Sequence, residues 1–284
     1  MAIQNRYAQR QRSAPAAASP PQRRRLSAPS GRRTPGRPTT DKKPYIVVGV
    51  TFGALILGTT LFNHITRTDP EAPTASCVIA VDAQGSAAGM KDAYRQWIPS
   101  QAEVCAQQGD LSITLVSGKT RTSTVTPVTG SLSSLEYTGN DANDAVIAKN
   151  EIDRVVQEAD EAILAAPRQR GGTDILGVIC VAHDLLRGHS PSTLIINSDG
   201  INNRKPYQLA KAPLDDASIA TYVDQLKADG QLCDLTGTQV HMYGVGIGSG
   251  TGKMSDEQLA GVRRFWEAAI RATGGDLVTY QRNP

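Results

Sequence analysis

Three short stretches of this chain set carboxylate, hydroxyl and amide oxygens among glycines, residue types that can ligate a hard cation. They are Asp82-Ala83-Gln84-Gly85-Ser86, Gly171-Gly172-Thr173-Asp174 and Asn197-Ser198-Asp199-Gly200. Mg²⁺ prefers hard oxygen ligands in a near-octahedral shell at about 2.0–2.1 Å and keeps several waters. The same residue types have a plainer use, because Asp and Ser also cap helices and close turns. For cation binding, groups more than a hundred residues apart must meet, so the elements carrying them decide the question.

Those elements alternate in period. Cys77 to Val81 is a short apolar run ending at Asp82, and Met90, Tyr94, Trp97 and Ile98 then recur at helical spacing up to a break at Pro99. Leu111 to Val116 alternates with period two, and the Thr/Val-rich run Arg121 to Val128 reads as its hairpin partner across Gly118-Lys119. A long helix is predicted from about Asp144 to Ala166, with Ile152, Val156, Ala159 and Ile163 on one face. Another follows from about Asp174 to Arg187. Thr193 to Asn197 reads as a buried parallel strand. Next come a helix over Asp215 to Ala228, a strand over Gln239 to Ile247, and a helix opened by the capping box Ser255-x-x-Gln258. Leu277 to Gln281 is a final edge strand. The expected fold is α/β, a doubly wound, mostly parallel central sheet with helices on both faces. Such sheets bind ligands beyond the carboxyl ends of their strands, where the three stretches fall.

In that order of elements the chain resembles the von Willebrand factor type A domain, as a membrane-anchored bacterial member. The resemblance covers about Cys77 to Tyr280 and includes GGTDIL before a helix and the Ala272 to Leu277 strand entry. It implies a metal-ion-dependent adhesion site. By resemblance Asp82 stands for the first Asp of the family's D-x-S-x-S, Ser86 for its second Ser, Thr173 for the loop Thr, and Asp199 for the Asp after the fourth strand. Gln84 departs from the family pattern, which has Ser there. Its carbonyl either ligates from a longer arm or caps the site and weakens metal binding. The implied cofactor is Mg²⁺ or Mn²⁺, with one coordination position left for an Asp or Glu of a protein ligand. Asp174, Gly200 and Ser249 are expected on the ligand-binding rim.

Other chemistries fit less well. Gly246 to Lys253 looks like a phosphate loop, but Ile247 stands where the first Gly belongs and Met254 where Ser or Thr would hold Mg²⁺. His183, His189 and His241 show no metal-ligand spacing with one another or with a Cys pair. Ser198 lacks a G-x-S-x-G context. The expectation is a binding protein, not an enzyme. The cysteines are Cys77, Cys105, Cys180 and Cys233, an even count that suits an oxidising compartment. Three pairings are open, with at least one bridge expected and the geometry compatible with one among Cys77, Cys105 and Cys233, at the sheet end opposite the candidate metal loops. Cys180, among apolar neighbours, could remain a free buried thiol.

Charge divides the 284-residue chain. Residues 1–44 hold eleven of its thirty Lys and Arg but one of its 27 acidic residues, so the remainder is net acidic. Pro44 to Phe62 carries no charge over 19 positions, enough to span the ~30 Å hydrocarbon core. The basic flank before it places the N-terminus in the cytoplasm. The expected organisation is a disordered basic tail (1–43), a signal-anchor (44–66), a linker (67–76) and an extracytoplasmic domain (77–284), at the plasma membrane. The tail's Arg23-Arg24-Arg25 and Arg32-Arg33 suit anionic lipid. Gly49 and Gly53 form a GxxxG pair compatible with a homodimer. Nucleic acid is not an expected partner. The rival to the adhesion reading is a metal-free structural scaffold in an envelope or secretion assembly.

Overall fold

Six strands form one sheet in the order β3-β2-β1-β4-β5-β6. In this computed structural model the described residues are 75–284, apart from 108, 123–125, 167–171, 207, 249–250 and 252–253. The basic tail and the apolar Pro44 to Phe62 segment therefore lie outside the described residues. The strands are β1 (Ser76–Asp82), β2 (Asp110–Val116), β3 (Val128–Gly130), β4 (Ser192–Asn197), β5 (Thr238–Tyr243) and β6 (Asp276–Gln281). All neighbours pair in parallel except β3, which runs antiparallel to β2. The helices are α1 (Lys91–Ala106), α2 (Asp141–Ala165), α3 (Ile175–Leu186), α4 (Asp216–Ala228) and α5 (Asp256–Ala272).

The α/β expectation holds, and alternation along β1 divides the core. Val78 and Ala80 face the cluster built with α3, α4 and α5, including Phe265 and Trp266. Ile79 and Val81 face the cluster built with α1 and α2, including Tyr94, Ile98, Val155 and Ile163. Burial on both faces explains why β1 and β4 read as continuous apolar runs. Each face also carries one disulfide. Cys77–Cys105 ties the start of β1 to the end of α1, and Cys180–Cys233 ties α3 to the segment before β5. Cys180 is thus bridged, not a free thiol. Its apolar sequence neighbours gave no sign that Cys233 packs beside α3.

Several boundaries differ from the pattern reading. α1 continues through Pro99, whose ring is on the exposed side while Tyr94, Ile98, Ala102 and Cys105 hold the buried stripe. One missing backbone donor costs less than that packing supplies. Among the described residues the antiparallel partner of β2 starts later than the predicted Arg121 to Val128 strand. Thr120–Thr122 is a 3₁₀ turn gripped by Asp174, and the antiparallel pairing begins only at Val128. α2 starts earlier than expected because Asn140 caps it, accepting from the amides of Ala142 and Asn143. β5 ends at Tyr243, not Ile247, since Gly244 and Gly246 take positive φ. The Ser255–Gln258 capping box opens α5 as read.

Candidate functional site

The parallel register brings the ends of β1 and β4 side by side, with Val81 opposite Asn197. The next residue of β1 is Asp82, and the next two after β4 are Ser198 and Asp199. Asp82 is anchored from both sides. The Gln84 amide donates to its Oδ1 at 3.2 Å, and the Ser198 hydroxyl donates to its Oδ2 at 2.8 Å. Asp199 Oδ1 accepts from the Ile201 amide at 2.9 Å. Thr173 arrives from the loop before α3, where its carbonyl accepts from the Asn203 amide at 2.8 Å. Ser86 lies in the 3₁₀ turn Gly85–Met90 and is half-buried.

Electrostatics shows how closely these groups gather. Burial, followed by the nearby charge of Asp199, pushes the Asp82 carboxyl up to about 8. The Ser198 hydroxyl, the Gln84 amide and the Thr173 hydroxyl favour its ionised form but do not offset that rise. Burial also raises Asp199, against the influence of Ser86 and the Ile201 amide. Two carboxylates this dry resist carrying their charges together without a cation between them.

The cluster also has oxygens left over. Asp199 Oδ2, Thr173 Oγ1 and Gln84 Oε1 are buried without a hydrogen bond of normal geometry. Buried polar atoms are almost always paired, so three orphans in loops that meet at one sheet end are informative. All three can donate a lone pair to a hard cation. Among the described residues no group of three His, Cys, Asp or Glu is placed to hold a metal. Any metal would therefore rest on two carboxylates and neutral oxygens, a donor set that suits a hard divalent ion.

The expected rim residues are placed differently from one another. Asp174 is buried and occupied: it caps α3 through the Gly177 amide, accepts from the Thr120 amide, and pairs with Arg204. Gly200 is buried in a turn at φ +82°, with its carbonyl accepting from the Trp266 indole. Ser249 lies outside the described residues. Pattern reading missed several contributors. Ser198 reads in the sequence as one of the loop oxygens and as a nucleophile without context, with no link to Asp82, yet it holds that carboxylate. Tyr94 read as part of an apolar stripe, yet its hydroxyl is buried without a partner and senses both site carboxylates. Gly248 packs so closely on Asp199 that an added Cβ would lie 2.1 Å from Oδ2.

By architecture this is an α/β domain with a mostly parallel six-stranded sheet and polar loops gathered at the strands' carboxyl ends. No protein-family model matches the chain, and no curated protein does. Among solved structures it is similar to the human COPII-coat protein Sec24c, at 10% identity and a TM-score of 0.32. The match covers 74% of this chain and 30% of that one. Among the described residues no helix is long and apolar enough to cross a membrane.

Proposed function

We propose that the domain is a von Willebrand A-like binding module that engages a protein ligand through a divalent cation, Mg²⁺ or Mn²⁺. Asp82, Ser86, Thr173 and Asp199 hold the ion, with Gln84 beside them. The observation that carries this reading is the set of buried, unpartnered oxygens on Asp199, Thr173 and Gln84 beside the dry Asp82 carboxyl. When bound, the ion supplies a hard Lewis-acidic position for a partner's Asp or Glu. The chain's own groups do the rest. Ser198 and the Gln84 backbone amide fix the Asp82 carboxylate, the Ile201 amide fixes Asp199, and the burial of Asp82, Gln84, Thr173 and Asp199 limits competing water. The role is binding rather than catalysis. In this proposal Pro44 to Phe62 anchors the chain, the basic tail lies on cytoplasmic anionic lipid, and the domain is displayed outside.

A second reading has its own support. An Asp82 carboxyl raised to about 8 keeps its proton at neutral pH without a cation, and Gly248 closes over Asp199. Both suit a metal-free scaffold. Calorimetric titration of Mg²⁺, Mn²⁺ and Ca²⁺ into the oxidised full-length protein separates the two. Saturable binding that Asp82→Ala abolishes, with the variant's circular dichroism unchanged, supports the metal reading. Absence of binding to millimolar Mg²⁺, Mn²⁺ and Ca²⁺ alike, with or without a Glu-containing peptide, supports the scaffold.

A further inference from the structure

Gln84 is the residue whose chemistry the metal reading leaves unexplained. It stands between Asp82 and Ser86, is 4% exposed, and its amide oxygen is buried without a hydrogen bond. A buried amide oxygen left unpaired is destabilising unless something accepts its lone pair. A glutamine with no role there would be expected to turn its amide to water, since it sits in the short connection between β1 and the 3₁₀ turn Gly85–Met90.

The surroundings are equally dry. Asp82 is 0% exposed, and Thr173 and Asp199 are each 1% exposed. Mg²⁺ gives up water reluctantly, demands near-ideal octahedral geometry, and is rarely held in an all-protein cage. Ca²⁺ takes six to eight oxygens at about 2.3–2.6 Å in flexible geometry, and amide carbonyls are among its regular ligands. Asp82, Asp199, the hydroxyls of Thr173 and Ser86, and the Gln84 carbonyl make up a protein-supplied oxygen set of that kind. A Gln side chain is also longer and more adaptable than a Ser, which suits a larger ion and a looser shell.

We infer that the Gln84 carbonyl is a ligand and sets the site's selectivity, favouring Ca²⁺ over Mg²⁺. This rests on the metal-site reading above. It differs in naming the ion and in assigning the preference to one side chain.

The test is calorimetric titration of Ca²⁺, Mg²⁺ and Mn²⁺ separately into the oxidised full-length protein. Wild type, Asp82→Ala, Gln84→Ser and Gln84→Asn are compared, with thermal melts reporting their folding. Wild type is expected to bind Ca²⁺ at least about tenfold more tightly than Mg²⁺. Gln84→Ser, a shorter oxygen that readmits water, should lose most of that ratio by weakening Ca²⁺ and strengthening Mg²⁺. Gln84→Asn keeps the amide but draws it back by one methylene. It should weaken Ca²⁺ and serves as the second variant if Gln84→Ser does not fold. Binding that Asp82→Ala abolishes, with a Ca²⁺/Mg²⁺ ratio indifferent to both Gln84 changes or favouring Mg²⁺ in wild type, overturns the inference and leaves the metal site standing. Absence of binding by all three ions overturns both.

Discussion

Gln101 and Asn197 hold each other by two side-chain hydrogen bonds. Gln101 Nε2 donates to Asn197 Oδ1 at 3.0 Å, and Asn197 Nδ2 donates back to Gln101 Oε1 at 2.7 Å. Both residues are buried. The pair joins α1, which follows the Asp82 to Ser86 loop, to the last residue of β4, which leads into Ser198 and Asp199. It thereby ties the two halves of the proposed site.

Breaking that pair on one side leaves the other amide buried and unpaired. Gln101→Leu should cost about 1–3 kcal/mol of stability, as should Asn197→Leu. The double variant should lose clearly less than the sum, because no orphan amide remains. Urea unfolding of the three variants measures the coupling. If the losses simply add, the pair does not act as a unit.

The Asp82 carboxyl makes the cation-free domain sensitive to pH. In the folded state it titrates near 8, against an ordinary value of 3.8. Between those values the folded state holds a proton that the unfolded chain has released. Stability therefore falls as pH rises through that window. Thermal melts in chelator should show a lower Tm at pH 8 than at pH 5. Asp82→Asn, which cannot ionise, should flatten the difference.

Gly248 is expected to tolerate no side chain. A Cβ there would meet Asp199 Oδ2 at 2.1 Å and Cγ at 2.8 Å, so either the loop or the carboxylate must move. Gly248→Ala should lower stability by about 1–3 kcal/mol, as overpacking does. It should also weaken cation binding if Asp199 is the part that shifts. Melting and titration of the same preparation distinguish loop movement from carboxylate movement.

The two bridges should contribute unequally. They close sequence separations of 28 and 53 residues. Loop-closure entropy alone favours the longer by about 0.6 kcal/mol. Non-reducing peptide mapping should recover Cys77–Cys105 and Cys180–Cys233. Cys180→Ser/Cys233→Ser should then be the less stable of the two paired double variants in urea. The opposite order would show that packing around α1 outweighs the entropic difference.

What the sequence determined by itself is local in origin. The apolar run of β1, the stripe of α5 and the Ser255–Gln258 cap depend on neighbours within a few residues, so their periods and end signals were legible. The rule that polar loops gather at the carboxyl ends of parallel strands then brought Asp82, Thr173 and Asp199 into view as one set. The tertiary structure alone decided contacts made across the chain. Ser198 reaches Asp82 over 116 positions and Gln101 reaches Asn197 over 96. Cys180 finds Cys233, and Asp174 turns from an expected rim residue into a buried clamp on Thr120 and Arg204. Even the charge of Asp82 belongs to this second group. A carboxyl's proton depends on the water and charge around it, and both are set by which distant segments the sheet brings together.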